Sequence, residues 1–335
     1  MNPNSLHDAD DPSGLLAANR ALQAERDTYK AIADAVPFGS HVYDLIPSQE
    51  LLLFAANRSA DLILSFDHDA LLRPISGNAF EDISHRNLGA CLKRVAITGE
   101  NLKDEFVSSV RGKELVLEIH ASQLGLGRVG VFFRDVTELS NSYEEALEGW
   151  ARAMDARDKE TEGHSQRVTK MSLAIGRALG LAQSDLRNLR RGALVHDVGN
   201  IAIPDSVLLK PGKLTPEERS IIQTHAQIGF EMLKGIRVLQ GALDVPHYHH
   251  ERWDGTGYPE RLKGDNIPLL ARIFAIADVW DGMSSDRPYR RGFPPSFVFE
   301  EIQSQSGRHF DPAVVEAFER VVRLLDDDRY ELINS

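Results

Sequence analysis

The most constraining feature of this sequence is a change of texture near residue 140. From Arg157 onward the chain is mainly helical in pattern. Apolar residues recur at helical spacing over Ser165–Leu179, Gln183–Val195, Pro216–Leu233, Gly241–Tyr248, Leu269–Met283, Pro295–Gln303 and Pro312–Leu325. Pro211-Gly212, Gly255, Gly257 and Pro259 mark the turns. Before residue 140, short apolar runs at His41–Ile46 and Leu51–Ala55 flank a Pro-Ser-Gln turn and predict a hairpin. Asn57–Leu64 reads as helix, and Glu114–Ala121 and Gly127–Arg134 read as two further strands. Strands at both ends with short helices between predict a small α+β domain, followed by an all-α helical-bundle domain. A helix is expected over Leu15–Ala35, ended by Pro37 and Gly39. Another over Glu144–Arg157 joins the halves, with Leu147, Trp150, Ala151 and Met154 as its apolar stripe. Such a helix either transmits rotation or sliding, or simply packs on its own domain.

Composition narrows the function. Of 335 residues 42% are hydrophobic and 26% charged, so each half has the material for a core. Lys and Arg number 38 against 50 Asp and Glu, a net charge of −12. Thirteen basic and twenty acidic residues through Ser140 put −7 there and −5 in the rest. Neither half has the basic excess of a DNA binder. An anionic substrate would have to be held by local cations or metals. Cys91 is the only cysteine, which leaves no internal disulfide and no thiolate zinc site, and it reads as a small packed residue. There is no 18-residue apolar run and no signal-peptide pattern at the start, so no membrane association and a cytoplasmic location are expected.

Twelve histidines are present, seven of them after residue 160. A lone histidine is usually a core or capping residue. Here His196 precedes Asp197, His249 and His250 precede Glu251, and His225 sits within an expected helix. Asp278 stands in A-I-A-D-V-W-D. His164 lies four residues after Glu160, which puts both on one face if that segment is helical. Imidazoles and carboxylates without thiols suit Fe, Mn, Zn, Co or Ni. Carboxylates brought together repel unless cations intervene. Two metals about 3.5–4 Å apart suit hydrolytic displacement, so phosphodiester hydrolysis is the expected chemistry.

The ordered motifs make the second half resemble an HD-GYP domain of the HD phosphohydrolases. They are R-D-K-E-T-E-G-H-S-Q-R-V at 157–168, H-D-V-G-N at 196–200 and I-P-D-S-V-L-L-K-P-G-K-L at 203–214, then His225. H-H-E-R-W-D-G-T-G-Y-P at 249–259, A-I-A-D-V-W-D at 275–281 and D-R-P-Y-R at 286–290 follow. The resemblance implies two or three divalent or trivalent metal ions, iron first, with manganese or another transition metal as substitutes. It implies hydrolysis of cyclic di-GMP to pGpG, and sometimes to GMP. It assigns metal binding to His164, His196, Asp197, His225, His249, His250 and Asp278, with Asp197 bridging. Glu160 matches the carboxylate of members with a third metal; the bland reading is an exposed acid at a helix start. Gly257, Tyr258 and Pro259 form a loop implicated in substrate closure or in contact with a partner such as a diguanylate cyclase. Arg287 and Arg290, around Tyr289, match phosphate contacts, against the bland reading of a solvated basic turn. Asp281 is either a partner behind the ligands or a helix C-terminal residue.

Residues 29–139 resemble a PAS sensor domain. F-A-A-N-R-S-A-D-L-I-L at 54–64, the paired late strands and F-F-R-D-V-T-E-L at 132–139 carry that resemblance. The expected order is an N-terminal tail and helix (1–28), a PAS-like domain (29–139), a helical linker (140–156) and an HD-GYP domain (157–335). By analogy with sensor proteins a homodimer is expected through the N-terminal and linker helices. His41, His68, His85 and His120 read as structural or surface histidines and not as haem ligands. One departure matters. The family's H-D-x-G-K lysine is Asn200 here, which donates a hydrogen bond but carries no charge. Asn200, with His196 and Asp197, is placed among the catalytic residues. The loss of charge predicts slower turnover, on the order of a hundredfold. Lys210 and Lys213 either compensate or sit on a surface turn. The alternatives to the enzyme are a cyclic di-GMP receptor of low or no activity, or a protein-interaction module.

Overall fold

The structure, a computed structural model, describes residues 12–65, 88–110, 113–158, 161–286 and 291–326. The chain divides into two units, Met1–Ser140 and Asn141–Ser335. In the first, helix α1 (Pro12–Ala35) precedes a hairpin of β1 (Gly39–Leu45) and β2 (Leu51–Ala56). Helices α2 (Arg58–Leu64) and α3 (Leu88–Thr98) come next, then β3 (Leu102–Val110), β4 (Lys113–Gly125) and β5 (Arg128–Asp135). The strands form one antiparallel sheet in the order β2-β1-β5-β4-β3. Alternation fixes the buried face: Leu115, Leu117, Ile119 and Ala121 of β4 point inward with Val129, Val131 and Phe133 of β5. Leu64 of α2 and Leu88, Leu92 and Val95 of α3 cover them.

Asn57 shows why the quoted F-A-A-N-R run matters to this fold. It caps α2 by accepting from Ala60 N at 3.0 Å, and its Oδ1 also accepts from Ser40 N at 2.8 Å. Its Nδ2 donates to the carbonyls of Ala33 (2.7 Å) and Phe38 (2.8 Å). One buried amide thus ties together the end of α1, the start of β1 and the start of α2. The sequence pattern does not predict β3. The run Lys103-Asp104-Glu105 breaks the apolar alternation, and an edge strand tolerates that because one side lacks a neighbour.

The second unit is helical. Helix α4 (Thr137–Asp158) contains the division at Ser140. It is followed by α5 (His164–Ala178), α6 (Gln183–Leu194), a 3-10 turn (Val198–Ala202), α7 (Asp205–Leu208) and α8 (Pro216–Leu233). Then come a 3-10 turn (Arg237–Ala242), α9 (Asp244–Tyr248), α10 (Leu269–Ser284), α11 (Pro295–Ser304) and α12 (Pro312–Asp326). Thr215 and Glu218 form a capping box at α8, with Pro216 as its first residue. Helix α10 is apolar on nearly every side, as a central helix must be. Its Ile273, Phe274, Ile276 and Ala277 pack with Val168 and Ile175 of α5 and Val314 and Phe318 of α12.

Candidate metal centre

Five segments deliver seven of the expected ligands to two neighbouring groups. His164 opens α5, His196 and Asp197 follow α6, and His225 lies in α8. His249 and His250 follow α9, and Asp278 sits in the last turns of α10. Asp197, His225, His249 and His250 form one group; His164, His196 and Asp278 form the other. Within each, one ligand atom per residue lies within 4.8 Å of the rest. Asp197 faces both: its Oδ1 is 3.3 Å from His225 Nε2 and 3.6 Å from His249 Nε2, while Oδ2 is 3.3 Å from His196 Nε2. His164 Nε2 lies 3.6 Å from Asp278 Oδ1. Phe274 closes the inner side, with its ring 4.7 Å from that of His196 and 5.7 Å from that of His249.

Backbone carbonyls set the tautomers. His196 Nδ1 donates to Ala193 O (2.8 Å), His225 Nδ1 to Ile222 O (2.8 Å) and His249 Nδ1 to Val245 O (2.9 Å). A carbonyl only accepts, so each Nδ1 holds a proton and each Nε2 is turned inward. His225 and His249 bring their Nε2 atoms within 3.3 Å of each other, both beside Asp197. Converging lone pairs and carboxylates repel, and a divalent cation relieves this. The donor set therefore fits metal binding, with nitrogen and oxygen ligands suited to first-row transition metals. The imidazoles of His164, His196, His225 and His249 are buried, whereas Asp197 and Asp278 keep 28% of their side chains exposed, so the carboxylates form the mouth.

Protonation follows the same geometry. Burial opposes charge on His196, but the Asp197 and Asp278 carboxylates raise its pKa to about 10, so without metal its Nε2 carries a proton shared with Asp197, and a metal binding there would displace that proton. Asp197 is held well below the ordinary carboxylate range, against burial, by the charge and hydrogen bond of His196. His225 is lowered by burial and by His249. His250 is lowered further, by burial and by His249 and His225. Neutral imidazole is the form that binds metal.

Behind the ligands, Asp281 accepts from His164 Nδ1 at 2.7 Å and is itself clamped by Arg167, through Nε at 2.6 Å and Nη2 at 3.0 Å. Asp281 therefore orients His164; of the two readings open to it, this is the one the geometry supports. Arg167 was not singled out from the sequence. The available signal was spacing: Arg167 follows His164 by three residues on α5, and Asp281 follows Asp278 by three on α10. The loop after His250 is held by Glu251, whose Oε1 accepts from Glu260 N at 2.7 Å. A Cβ on Gly257 would fall 2.4 Å from Arg252 N, so only glycine fits that approach. Tyr258 stacks on His250, with ring centroids 4.7 Å apart.

Other expectations fare differently. Asn200 is buried, and its Nδ2 donates to Asp158 at 2.9 Å. Lys210 is paired with Glu218 at 2.6 Å, beside the cap of α8, so it fits the surface-turn reading. Helix α5 begins at His164 itself, after a turn, so the one-face helical argument joining His164 to Glu160 does not hold. Glu160, Arg287, Tyr289 and Arg290 lie outside the described residues, as do His68 and His85.

The family model described as HD domain matches residues 150–314. A 3'3'-cGAMP-specific phosphodiesterase 2 of Vibrio cholerae is 40% identical over 203 residues, covering 60% of this chain and 38% of that protein. The response regulator RpfG of Xanthomonas campestris, a cyclic di-GMP phosphodiesterase, is 41% identical over 187 residues (55% and 50%). A cyclic di-GMP phosphodiesterase of Thermotoga maritima is 38% identical over 227 residues (67% and 59%). The chain thus spans only about two fifths to three fifths of these relatives. Among solved structures, a cyclic GMP-AMP-specific phosphodiesterase of V. cholerae aligns with TM-score 0.45 at 24% identity, covering 57% of this chain and 53% of that one. No helix among the described residues is long and apolar enough to cross a membrane.

Proposed function

We propose that the C-terminal unit, which contains the whole HD-domain match, is a metal-dependent phosphodiesterase that hydrolyses cyclic di-GMP to pGpG, with GMP as a further product. The observation that carries this is Asp197, one carboxylate facing two groups of inward-turned imidazoles. Relatives named as cyclic dinucleotide phosphodiesterases support the substrate class. His164, His196 and Asp278 would hold one metal, and His225, His249 and His250 the other, with Asp197 shared. Iron is the first candidate, and Glu160 is the added carboxylate of a third position. Bound there, such metals supply Lewis acidity towards a phosphoryl oxygen. The chain's own part is to fix the Nε2 atoms of His164, His196, His225 and His249 by a carbonyl or carboxylate at Nδ1, and to exclude water on the Phe274 side. Tyr258 walls the His250 side, and Arg287, Arg290 and Tyr289 are proposed to receive the phosphates.

The N-terminal unit is proposed as a PAS-like sensor that regulates this activity. Its single antiparallel sheet with α2 and α3 over one face supports that reading. A homodimer through α1 and α4 is proposed on their exposed apolar stripes: Leu22, Tyr29 and Ile32 on α1, and Leu139, Tyr143 and Trp150 on α4. The spacings of seven and three on α1, and four and seven on α4, suit a coiled-coil seam.

A second reading is a cyclic di-GMP receptor without turnover, favoured by Asn200, which brings no positive charge. The test is anaerobic purification with metal analysis, then turnover of cyclic di-GMP and, in parallel, 3'3'-cGAMP, with Asp197→Ala as control. Two or three metals per chain and cleavage lost in the control are the expected result. Full metal occupancy with nucleotide bound but uncleaved would overturn the enzyme in favour of the receptor.

A further inference from the structure

We infer that Arg157 and Asp158, the last two residues of α4, are positioning residues that hold the His196-Asp197 segment in its metal-binding geometry. The inference rests on the proposed metal centre but not on turnover. His196 and Asp197 lie between the end of α6 and the 3-10 turn Val198–Ala202, outside any helix of regular length. Their orientation must be set by what grips that turn. One side is gripped by α8: a Cβ on Gly199 would fall 2.0 Å from His225 O and 2.7 Å from Gly229 N, so the two backbones touch. The other side is gripped by α4. Arg157 Nη1 donates to Asn200 O at 2.7 Å, and Nη2 donates to Ile203 O at 3.2 Å and Asp205 Oδ1 at 3.1 Å. Asp158 Oδ2 accepts from Asn200 Nδ2 at 2.9 Å, and its side chain is only 7% exposed.

Asn200 passes the grip on, because its backbone N–H donates to Asp197 O at 2.9 Å. Two residues thus occupy both polar ends of Asn200: Arg157 takes its carbonyl and Asp158 takes its amide. This assigns the residue that replaces the family lysine to holding its own turn, with one of its two amide hydrogens donated to Asp158. A carboxylate that must face two groups of imidazoles at 3.3 Å tolerates little rotation. A shift of this turn would move Asp197 away from both at once.

The test uses the full chain, stripped of metal and titrated with Co2+. The d–d absorption band reports ligand geometry, and its saturation reports affinity. Asp158→Ala and Asn200→Ala should each weaken Co2+ affinity on the order of ten- to a hundredfold and alter the band, as loss of a partner behind a ligand does. The double variant D158A/N200A should be no worse than the weaker single variant, because both delete one interaction. Arg157→Gln, at a partly exposed site, keeps the test open should the buried variants fail to fold; it should weaken affinity in the same range. Parental affinity and band in folded R157Q and D158A, with only a lower melting temperature, would overturn the inference. Additive losses in the double variant would overturn the Asp158–Asn200 link. Absence of cyclic dinucleotide cleavage by the parent protein would sink the proposed activity and leave the Co2+ comparison standing.

Discussion

Each unit of this protein buries histidine, and the two units do opposite things with it. In the N-terminal unit His41 is only 1% exposed. Its Nδ1 lies 2.9 Å from the Tyr43 hydroxyl, and its ring meets Phe133 edge-on at 4.9 Å. In the C-terminal unit His196 is 4% exposed, but its Nδ1 is spent on a carbonyl and its Nε2 looks at a carboxylate. Both are packed against a phenylalanine. Burial therefore does not separate a structural imidazole from a candidate ligand. What separates them is where Nδ1 is anchored and whether Nε2 meets carboxylates and other Nε2 atoms. Among the described residues, both groups of possible ligands lie between His164 and Asp278.

The largest expected effect breaks the contrast on the C-terminal side. Asp197→Ala removes the one carboxylate that faces both groups. If the proposed activity holds, losing several kcal/mol of the stabilisation that bound metal would supply corresponds to a fall in cyclic di-GMP turnover on the order of a thousandfold, with reduced metal content. Retention of both would mean that the two groups bind metal independently of Asp197. Next in size is Asp281→Asn. It keeps the shape but weakens the acceptor that aligns His164, and metal affinity should drop about ten- to a hundredfold. Equilibrium dialysis against Mn2+ measures it. An unchanged affinity would reduce the Asp281–His164 pair to a packing contact.

How legible all this was differs between the units for the same physical reason. In the C-terminal unit, the ordered motifs and the resemblance they carry pointed to seven candidate ligands that the structure brings into two groups. A histidine beside an aspartate and a histidine pair are unusual, and each had to be explained. Spacing could not show that Asn200 turns to Asp158, because that contact joins residues 42 positions apart. Nor could it show Arg167 clamping Asp281, across 114 positions. In the N-terminal unit, short apolar runs and the turns between them indicate β1, β2, β4 and β5, but charged residues interrupt the pattern of β3 at the sheet edge. Helix α3 was not named either, although Leu88, Leu92, Val95 and Ala96 repeat at helical spacing. The role of Asn57 as a four-way fastener was beyond reach, since its partners come from three different elements.

Removing the structural polar pair sharpens the contrast from the other side. Tyr43→Phe deletes the hydroxyl beside His41 Nδ1 in a site closed to water. Stability should fall by about 1 kcal/mol in urea unfolding, the net contribution of one buried hydrogen bond. Metal content should not change. A loss of metal would mean that His41 contributes to ligand binding after all.

The smallest expected effect concerns a polar pair of the N-terminal unit that water can reach. Arg128 grips Asp44 across the β1–β5 pairing, through Nε at 2.6 Å and Nη2 at 2.8 Å, and its guanidinium lies 4.4 Å above the Phe54 ring. The Arg128 hydrogen bond holds the Asp44 carboxyl below its usual range, against the opposing effect of burial. A depressed carboxylate pKa stabilises the fold above the unfolded value, near about 3.9, and the contribution is lost as pH falls through the folded value. Arg128→Gln should therefore lower the urea midpoint slightly at pH 7, and the gap to the parent should narrow in acid. It should not close fully, because the stacking on Phe54 does not depend on Asp44 ionisation. Added salt should also narrow the gap, since water reaches this pair. A gap independent of both pH and salt would assign the contribution of Arg128 to packing on Phe54 and not to the ion pair.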